Sequence, residues 1–541
     1  MEIPSFNQLI AESIQKYWDL DSMSDYGDYT LQYKDVARII EKMHILFEQS
    51  GVQKGDHIAI CGRNLSRWGA AFFATLTYGA VAVPILHEFH PSQVHDIVNH
   101  SEAKLLFVGD KVWPNLDAEK MPDLQGVISL VDFSLLVSRS EKLTYARENL
   151  NRLFGEKFPM NFRKHHIHYH QDQPDELAII NYTSGSTGNP KGVMLTNRSI
   201  SNNVDVGREY LPAIPGEKVV SMLPLAHMFG QVCELLYPLV SGCTIYFLGR
   251  TPTPSVLLKA LQEVQPYLIV TVPLVIEKIY KKAIAPRVNK KDIRFWWHVP
   301  GVGSIIKGVI KHNLKKTFGG HLRYFLCGGA AIDAEVEKCL LDVHFPLDVG
   351  YGMTECGPLI GGEVISGFKA RSGGKPVIGM EVRIDNPNED GIGEIQVKGD
   401  NLLIGYYKNE TATKEAFTRD GWFKTGDLGT LDRKKNIFIK GRIKTMILGS
   451  SGQNIYPEDI ESRINNEQAV AESLVVTREG KLVALIFPDQ AVKQFDQSYW
   501  NTILQRINER LPQYAKLHHV EIMDKEFEKT PKKSIKRFLY H

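Results

Sequence analysis

The sequence predicts an α/β fold: a large N-terminal domain of doubly wound α/β subdomains, a β-rich subdomain and a small α+β C-terminal module. Three observations carry this. Short apolar runs alternate with amphipathic segments over the first 135 residues, and the pattern resumes from Ala178 to Cys327. Such alternation implies a mostly parallel sheet covered on both faces. Between Lys375 and Gly441 the signal changes to short strands and glycine turns (MEVRI, GEIQVKG, IFIKG). After Gly441 a module of about 100 residues remains, within the usual range for a domain.

In chain order, His57–Cys61, Val81–Val83 and Lys104–Val108 read as buried strands. Asp35–Gln49 reads as a helix, with Val36, Ile39, Ile40, Met43 and Leu46 on one face. Trp68–Leu86 carries no charge and is long enough to suggest a membrane span. Its interior predicts otherwise: a small-residue helix Ala70–Tyr78, a stop at Gly79, and a strand Ala80–Val83 ended by Pro84. No transmembrane segment is expected. His165, His166, His168 and His170 fit no common zinc spacing and read as a strand with alternating histidines. Further strands are predicted at Ala178–Tyr182, Val219–Met222, Thr244–Phe247, Leu268–Val272 and Tyr324–Cys327. The C-terminal module should hold strands at LVVT and LVALIF and a helix over Trp500–Leu511.

Composition bounds the function. The 541 residues hold 64 Lys+Arg against 62 Asp+Glu, with 43% apolar and 10% aromatic residues. That balance excludes a disordered chain and argues against a nucleic-acid binder, which would show a basic excess. The six cysteines are scattered without a C-x-x-C pair, which reads as reduced core thiols in a cytoplasmic protein. The N-terminus lacks the basic and apolar regions of a signal peptide.

Chemistry concentrates at Tyr182–Gly192, YTSGSTGNPKG, directly after the apolar run LAIIN. Its glycines let the backbone turn and approach a ligand. Thr183, Ser184, Ser186 and Thr187 offer hydroxyls and Lys191 a cation, a set suited to a polyphosphate. A Walker P-loop requires Ser or Thr after the lysine; Gly192 stands there, so that reading fails.

This loop resembles the phosphate loop of the adenylate-forming enzymes. LPLAHMFG at 223–230, YGMTECG at 351–357, GWFKTGDLG at 421–429, IFIKGRIK at 437–444 and SGQNIYPEDIE at 451–461 follow in that family's order. The resemblance implies that Thr183, Ser184, Gly185, Ser186, Thr187, Gly188 and Lys191 bind ATP phosphates. It places Thr354 near the α-phosphate and Glu355 on Mg²⁺. Tyr351 with Gly352 would meet adenine, opposite Gly328, Gly329 and Ala330. Asp427 would accept the ribose hydroxyls, and Arg442 would bind ribose or phosphate. Residues 1–441 would form the N-terminal domain, with its β-rich part at about 370–441. Residues 442–541 would form a mobile C-terminal domain, with Lys444 as the hinge. The reaction implied is attack of a carboxylate on ATP, giving an acyl-adenylate and pyrophosphate, then displacement of AMP by the thiol of coenzyme A.

One position departs from the family. TPKKSIKR at 530–537 puts Ser534 where relatives carry a catalytic lysine, so Lys533 or Lys536 is the expected replacement. LPLAHMFG and a basic insertion before CGGA resemble the long-chain fatty acyl-CoA synthetases, with His227, Met228 and Phe229 bordering the acyl pocket. That insertion, Lys278–Lys316, holds eleven Lys/Arg and one acid, Asp292, with three aromatics at 295–297 and helically spaced apolar residues. Two readings stand: peripheral contact with the anionic inner membrane face, or a helix packed on the core with its lysines in water. The expected function is activation of a long-chain fatty acid to its CoA thioester. The alternatives are transfer to a carrier-protein phosphopantetheine, activation of a medium-chain or aromatic acid, and a catalytically impaired nucleotide- or lipid-binding protein.

Overall fold

The computed structural model describes residues 5–183, 190–249, 253–281, 285, 297, 299–363, 367–448, 454–467, 469–489, 497–509, 511–529 and 535–540. The chain divides into two compact units. The first comprises Met1–Ala370, Gly374–Glu381 and Lys398–Glu415; the second comprises Arg371–Gly373, Val382–Val397 and Ala416–His541. The predicted β-rich segment is thus divided between the units, most of it falling in the second.

Two large sheets build the first unit. One has eight strands, in the order Gly405–Tyr406, Lys191–Thr196, Leu177–Thr183, Val81–Ile85, His57–Cys61, Leu105–Val108, Gly126–Ser129 and Leu135–Ser138. Its five central strands, Leu177–Thr183 to Gly126–Ser129, are parallel, and the edges are antiparallel. The other has seven strands, in the order Leu347–Val349, Tyr324–Cys327, Leu268–Thr271, Lys218–Ser221, Thr244–Phe247, Asp21–Asp25 and Thr30–Gln32. All its pairings are parallel except the last. Parallel strands need crossovers, which the helices supply, and both faces must then be apolar. Val81–Ile85 and Leu105–Val108 are accordingly buried throughout.

The uncharged stretch folds as a helix, Ser66–Tyr78, that ends on Gly79 at φ 86, followed by the strand Val81–Ile85. Trp68, Phe72 and Phe73 of this helix are fully buried, each contributing about 1.5–3 kcal/mol. Among the described residues no helix is long and apolar enough to cross a membrane. Pro84 does not end its strand. It sits in register with Ile60, while the ladder on the other side pairs Ala82 with Ile179 and does not reach the proline's missing N–H. The histidine run is not a strand either: Lys164–His166 is a single 3₁₀ turn and residues 167–173 are irregular. Three of its four histidines engage neighbouring side chains and no ladder. His170 bonds Glu176 (2.9 Å) and Lys54 (2.9 Å), and His166 stacks on Phe162.

The helix Val302–Thr317 divides its apolar residues between two stripes. Ile306, Ile310 and Leu314 pack with Trp297 on the core of the seven-stranded sheet. Val302, Ile305 and Val309 face outward, Ile305 at 69% and Val309 at 55% exposure. Residues 282–284, 286–296 and 298 of the basic segment lie outside the described residues.

In the second unit, Met380–Asp385, Gly393–Gly399, Phe423–Leu431 and Ile437–Arg442 form a four-stranded sheet, whose first two strands run partly into the first unit. Val470–Arg478, Lys481–Pro488 and His519–Ile522 form a three-stranded sheet covered by the helices Pro457–Asn465 and Gln497–Asn508.

Candidate active site

The first unit gathers its candidate residues at strand ends. Leu177–Thr183 and Lys191–Thr196 are antiparallel, with Thr183 opposite Lys191, so the phosphate-loop segment closes a hairpin. Ser184, Gly185, Ser186, Thr187 and Gly188 lie outside the described residues. Lys191 opens the returning strand, and its Nζ lies 5.1 Å from the ring centroid of Tyr406. Tyr406 reaches that place because Gly405–Tyr406 adds to the same edge, opposite Met194 and Val193. Its hydroxyl donates to Glu355 Oε1 at 3.2 Å. Burial, and then the Glu355 carboxylate, push the phenol far above its usual range, so it stays a donor. Lys191, Tyr406 and Glu355 are therefore one cluster.

Glu355 is carried on a rigid turn. Thr354–Cys356 is a 3₁₀ turn whose Thr354 is buried, and Gly357 ends it at φ 61. A Cβ at Gly357 would lie 2.4 Å from Ser199 Oγ and 2.9 Å from Asn203 Nδ2. Asn203, buried on the helix Asn197–Tyr210, donates to Cys356 O (3.3 Å) and accepts from Leu359 N (2.9 Å), holding both sides of the turn. Leu403 N donates to Glu355 O (2.8 Å), tying the turn to the strand that brings Tyr406.

The predicted acyl-pocket residues meet the predicted adenine wall. Phe229 lies against Gly328, where a Cβ would come within 3.1 Å of its ring. Gly328 is buried, Gly329 turns at φ 86, and Gly329 and Ala330 are exposed. Tyr351 is buried beside Gly361, and a Cβ on Gly352 would strike Pro358 O. Met228 is fully buried, and His227 Nδ1 caps the short helix by accepting from Phe229 N at 3.3 Å.

A clamp that sequence reasoning missed fixes the Leu223–His227 loop. Glu234, with no exposure, accepts from Ser221 Oγ (3.1 Å), Met222 N (3.0 Å) and Leu223 N (3.0 Å). Asn64 donates to Leu223 O (2.6 Å) and accepts from Leu225 N (3.1 Å), and Asn181 donates to Ala226 O (3.0 Å). Glu234 sits in a π-helix, Gln231–Leu236, just before Pro238. Pro238 cannot donate to the carbonyl four residues back, that of Glu234, and its ring crowds it, which favours the wider turn. Pro238 is the one signal in the sequence that could have marked this feature.

In the second unit Asp427, buried, stands in register with Arg442, whose Nε lies 3.0 Å from Asp427 Oδ1. Thr425 Oγ1 accepts from Asp427 N at 3.0 Å. Lys444 is exposed in the turn that follows, where Thr445 N and Met446 N return to Arg442 O. Lys536 precedes the 3₁₀ turn Arg537–Leu539, its Nζ 3.3 Å from Glu528; Lys533 lies outside the described residues.

The AMP-binding enzyme profile matches residues 10–407, and the AMP-binding enzyme C-terminal domain matches residues 444–540. The chain belongs to the AMP-binding enzyme family. Within that family it is 30% identical over 454 residues to the long-chain-fatty-acid–CoA ligase FadD15 of Mycobacterium bovis, covering 79% of this chain and 72% of that protein. It is 27% identical over 513 residues to the long-chain-fatty-acid–CoA ligase ACSBG2 of Gallus gallus, covering 89% of this chain and 66% of that protein. Its fold is similar to that of an anthranilate CoA ligase, AuaEII, solved with anthranoyl-AMP, at a TM-score of 0.79 and 18% identity, covering 99% and 96% of the two chains. The α/β architecture with a smaller C-terminal domain is the fold of this family, and the chain is an adenylate-forming acid–CoA ligase that uses ATP, Mg²⁺ and CoA.

The first-unit cluster fits the metal ion that accompanies ATP. Glu355 supplies a half-buried carboxylate with one oxygen on Tyr406, and hard oxygen donors are what Mg²⁺ takes.

Proposed function

We propose that the enzyme activates a long-chain fatty acid, forming an acyl-adenylate and then acyl-CoA. The chemical half of this reading is carried by one observation: Lys191, Tyr406 and Glu355 converge at the mouth of the phosphate-loop hairpin. Lys191 would neutralise charge on the phosphates, and Thr354 would sit by the α-phosphate. Glu355 would hold Mg²⁺, which supplies charge stabilisation at the phosphates when bound. The protein's part in such a step is positioning and electrostatics. Gly328, Gly329, Ala330, Tyr351 and Gly352 would frame adenine, and Asp427 and Arg442 the ribose. The fatty-acid half is supported by the long-chain ligases among the relatives and by the apolar side chains of Met228 and Phe229 at His227.

The C-terminal domain, residues 442–541, would re-orient about Lys444 between the two half-reactions; its exposed turn suits such a role. Lys533 or Lys536 would take the place of the family lysine. Activity with ATP, Mg²⁺, CoA and a graded series of fatty acids, followed by mass spectrometry, tests the reading. Acyl-CoA with AMP is expected, and acyl-AMP alone would point to a carrier-protein acceptor. Lys191→Ala and Glu355→Gln should each slow adenylate formation about 10²–10³-fold. Lys533→Ala and Lys536→Ala are the matching pair for the C-terminal assignment, which fails if neither slows adenylation.

The outward stripe Val302, Ile305 and Val309, on a helix whose exposed Lys316 shares that face, is proposed to meet anionic lipid. Sedimentation with anionic vesicles at low salt should show binding that Ile305→Glu abolishes; no binding by the unmodified protein rejects the contact.

A further inference from the structure

Alternate residues of a strand face opposite sides of its sheet. Along the phosphate-loop hairpin this sorts two sets. Asn181, Thr183, Lys191 and Val193 share the face that meets the Leu223–His227 loop, and Tyr406, in register with Val193, joins them. Tyr182 and Gly192 lie opposite each other on the other face. Tyr407, next after Tyr406, falls on that second face, and its N–H extends the ladder by donating to Gly192 O at 2.8 Å.

The second face is built around His100, the last residue of the helix Pro91–His100. The Tyr182 hydroxyl lies 2.7 Å from His100 Nδ1, and the two rings meet edge-on. The Tyr407 ring also meets His100 edge-on, at 5.7 Å, and His57 at 5.4 Å. Tyr182 is buried, and its ring lies across Gly192, where a Cβ would come within 3.1 Å of it. Burial, then Tyr407 and Glu102, push the Tyr182 phenol far above its usual range, so it donates. Partial desolvation and then Lys408 hold His100 below the usual imidazole range, with Glu102 opposing, so the ring is neutral near pH 7 and Nδ1 accepts.

A second tie closes the same corner. Lys408 Nζ donates to His100 O (3.2 Å) and pairs with Glu102 (2.9 Å), which accepts from the Tyr407 hydroxyl (3.0 Å). Glu102 and Lys408 both hold left-handed backbones, φ 55 and 51, which cost a residue with a side chain about 1–2 kcal/mol. Such conformations persist only where the surroundings fix them.

We propose that His100 is a positioning residue for adenylate formation: by holding Tyr182 and Tyr407 it sets the two strands whose opposite faces present Lys191 to the phosphates and Tyr406 to Glu355. Small displacements of groups around a reacting centre cost rate steeply. The proposal rests on the reading of Lys191 and Glu355 as the groups for phosphate and Mg²⁺.

The test compares His100→Ala, His100→Asn and His100→Phe in the full-length enzyme, with the fatty acid that the unmodified enzyme turns over fastest. Asn places an acceptor oxygen close to the position of Nδ1 without a ring; Phe keeps the ring and removes the acceptor. The readouts are kcat and the KM values for ATP and for the acid in adenylate formation, with denaturant unfolding alongside. His100 is exposed, so its replacement opens no core cavity and the unfolding midpoint should hold. His100→Ala should lower kcat/KM for ATP about two- to tenfold, the worth of one lost hydrogen bond, and leave the KM for the acid unchanged. His100→Asn should recover more of that loss than His100→Phe, because it restores the bond to Tyr182, next to the residue opposite Lys191. An unchanged kcat/KM for ATP in His100→Ala overturns the proposal. So does a loss that falls equally on ATP and the acid with a lowered unfolding midpoint, which marks a general loosening of the fold. A loss that neither His100→Asn nor His100→Phe relieves overturns it as well. Lys191→Ala is the reference. If it leaves adenylate formation unchanged, the phosphate reading of Lys191 falls and this proposal with it; an impaired Lys191→Ala beside an intact His100→Ala removes the role of His100 alone.

Discussion

Glu234 and Asp348 are both buried carboxylic acids a few residues from the candidate site, one in a π-helix and one in a strand. Burial raises both above the ordinary carboxylate range. Their surroundings differ in kind. Glu234 collects three donors from Ser221, Met222 and Leu223, all on one loop. Asp348 keeps one oxygen without a partner beside a cavity. A satisfied buried acid specifies a backbone path, because the loop cannot leave without orphaning its amides. A partly satisfied one still holds the Val349 and Glu363 amides, while its unpartnered Oδ1 is a cost that burial imposes on the fold.

The largest expected effect breaks the first half of that contrast. Glu234→Ala orphans two buried amides and a hydroxyl, each worth about 1–3 kcal/mol when unmade, so a stability loss of roughly 3–5 kcal/mol is expected by denaturant unfolding. Glu234→Gln keeps one acceptor oxygen and should cost about half as much. If Glu234→Ala costs under about 1 kcal/mol, the carboxylate does not hold the loop.

A smaller effect should appear at Asp348, in the pH dependence of stability. Its carboxyl is raised from 3.8 to about 7 in the folded chain, so the folded state binds the extra proton between those values. The group's contribution is most favourable below about pH 4, falls as pH rises, and is flat above about 7. The span amounts to at most roughly 4 kcal/mol, screened by whatever water enters the cavity. Asp348→Asn should remove this part of the slope, leaving that of Glu234 and the other shifted acids. Unfolding curves for the two proteins from pH 4 to 8 that stay parallel would show that Asp348 titrates normally.

How far the sequence carried this site depends on the range of the interactions. His57–Cys61, Thr244–Phe247 and Tyr324–Cys327 were legible to the residue, because burial on both faces writes itself as an apolar run. The motif residues stand out in the sequence because the chemistry of phosphates limits which side chains can serve. The His165–His170 run was misread as a strand, since alternation of one residue type mimics a pleat without the apolar face that would bury it. Helical spacing in Val302–Thr317 was correct, yet spacing alone does not reveal that Ile305 and Val309 form a second, outward stripe. Tyr406, Asn203 and Asp348 left no local trace. Each matters through partners or a cavity wall assembled from distant segments, as with Tyr406 on Glu355, 51 residues away.

Glu355 falls between the two buried acids, and its neighbour grades the contrast most finely. It is half-buried, with one oxygen engaged by the Tyr406 hydroxyl at 3.2 Å. Tyr406→Phe keeps the ring beneath Lys191 and deletes only that donor. A single neutral hydrogen bond to a carboxylate that water can also reach is worth about 0.5–1.5 kcal/mol, so the rate of adenylate formation should change only about two- to tenfold. Tyr406→Ala also removes the ring and the cation–π contact, worth about another 0.5–1 kcal/mol at a partly exposed site, and should fall further. Equal effects of the two substitutions would place the whole contribution in the hydroxyl. An unaffected Tyr406→Phe enzyme with an impaired Tyr406→Ala one would place it in the ring, and Tyr406 would then act on Lys191 and not on the Glu355 carboxylate.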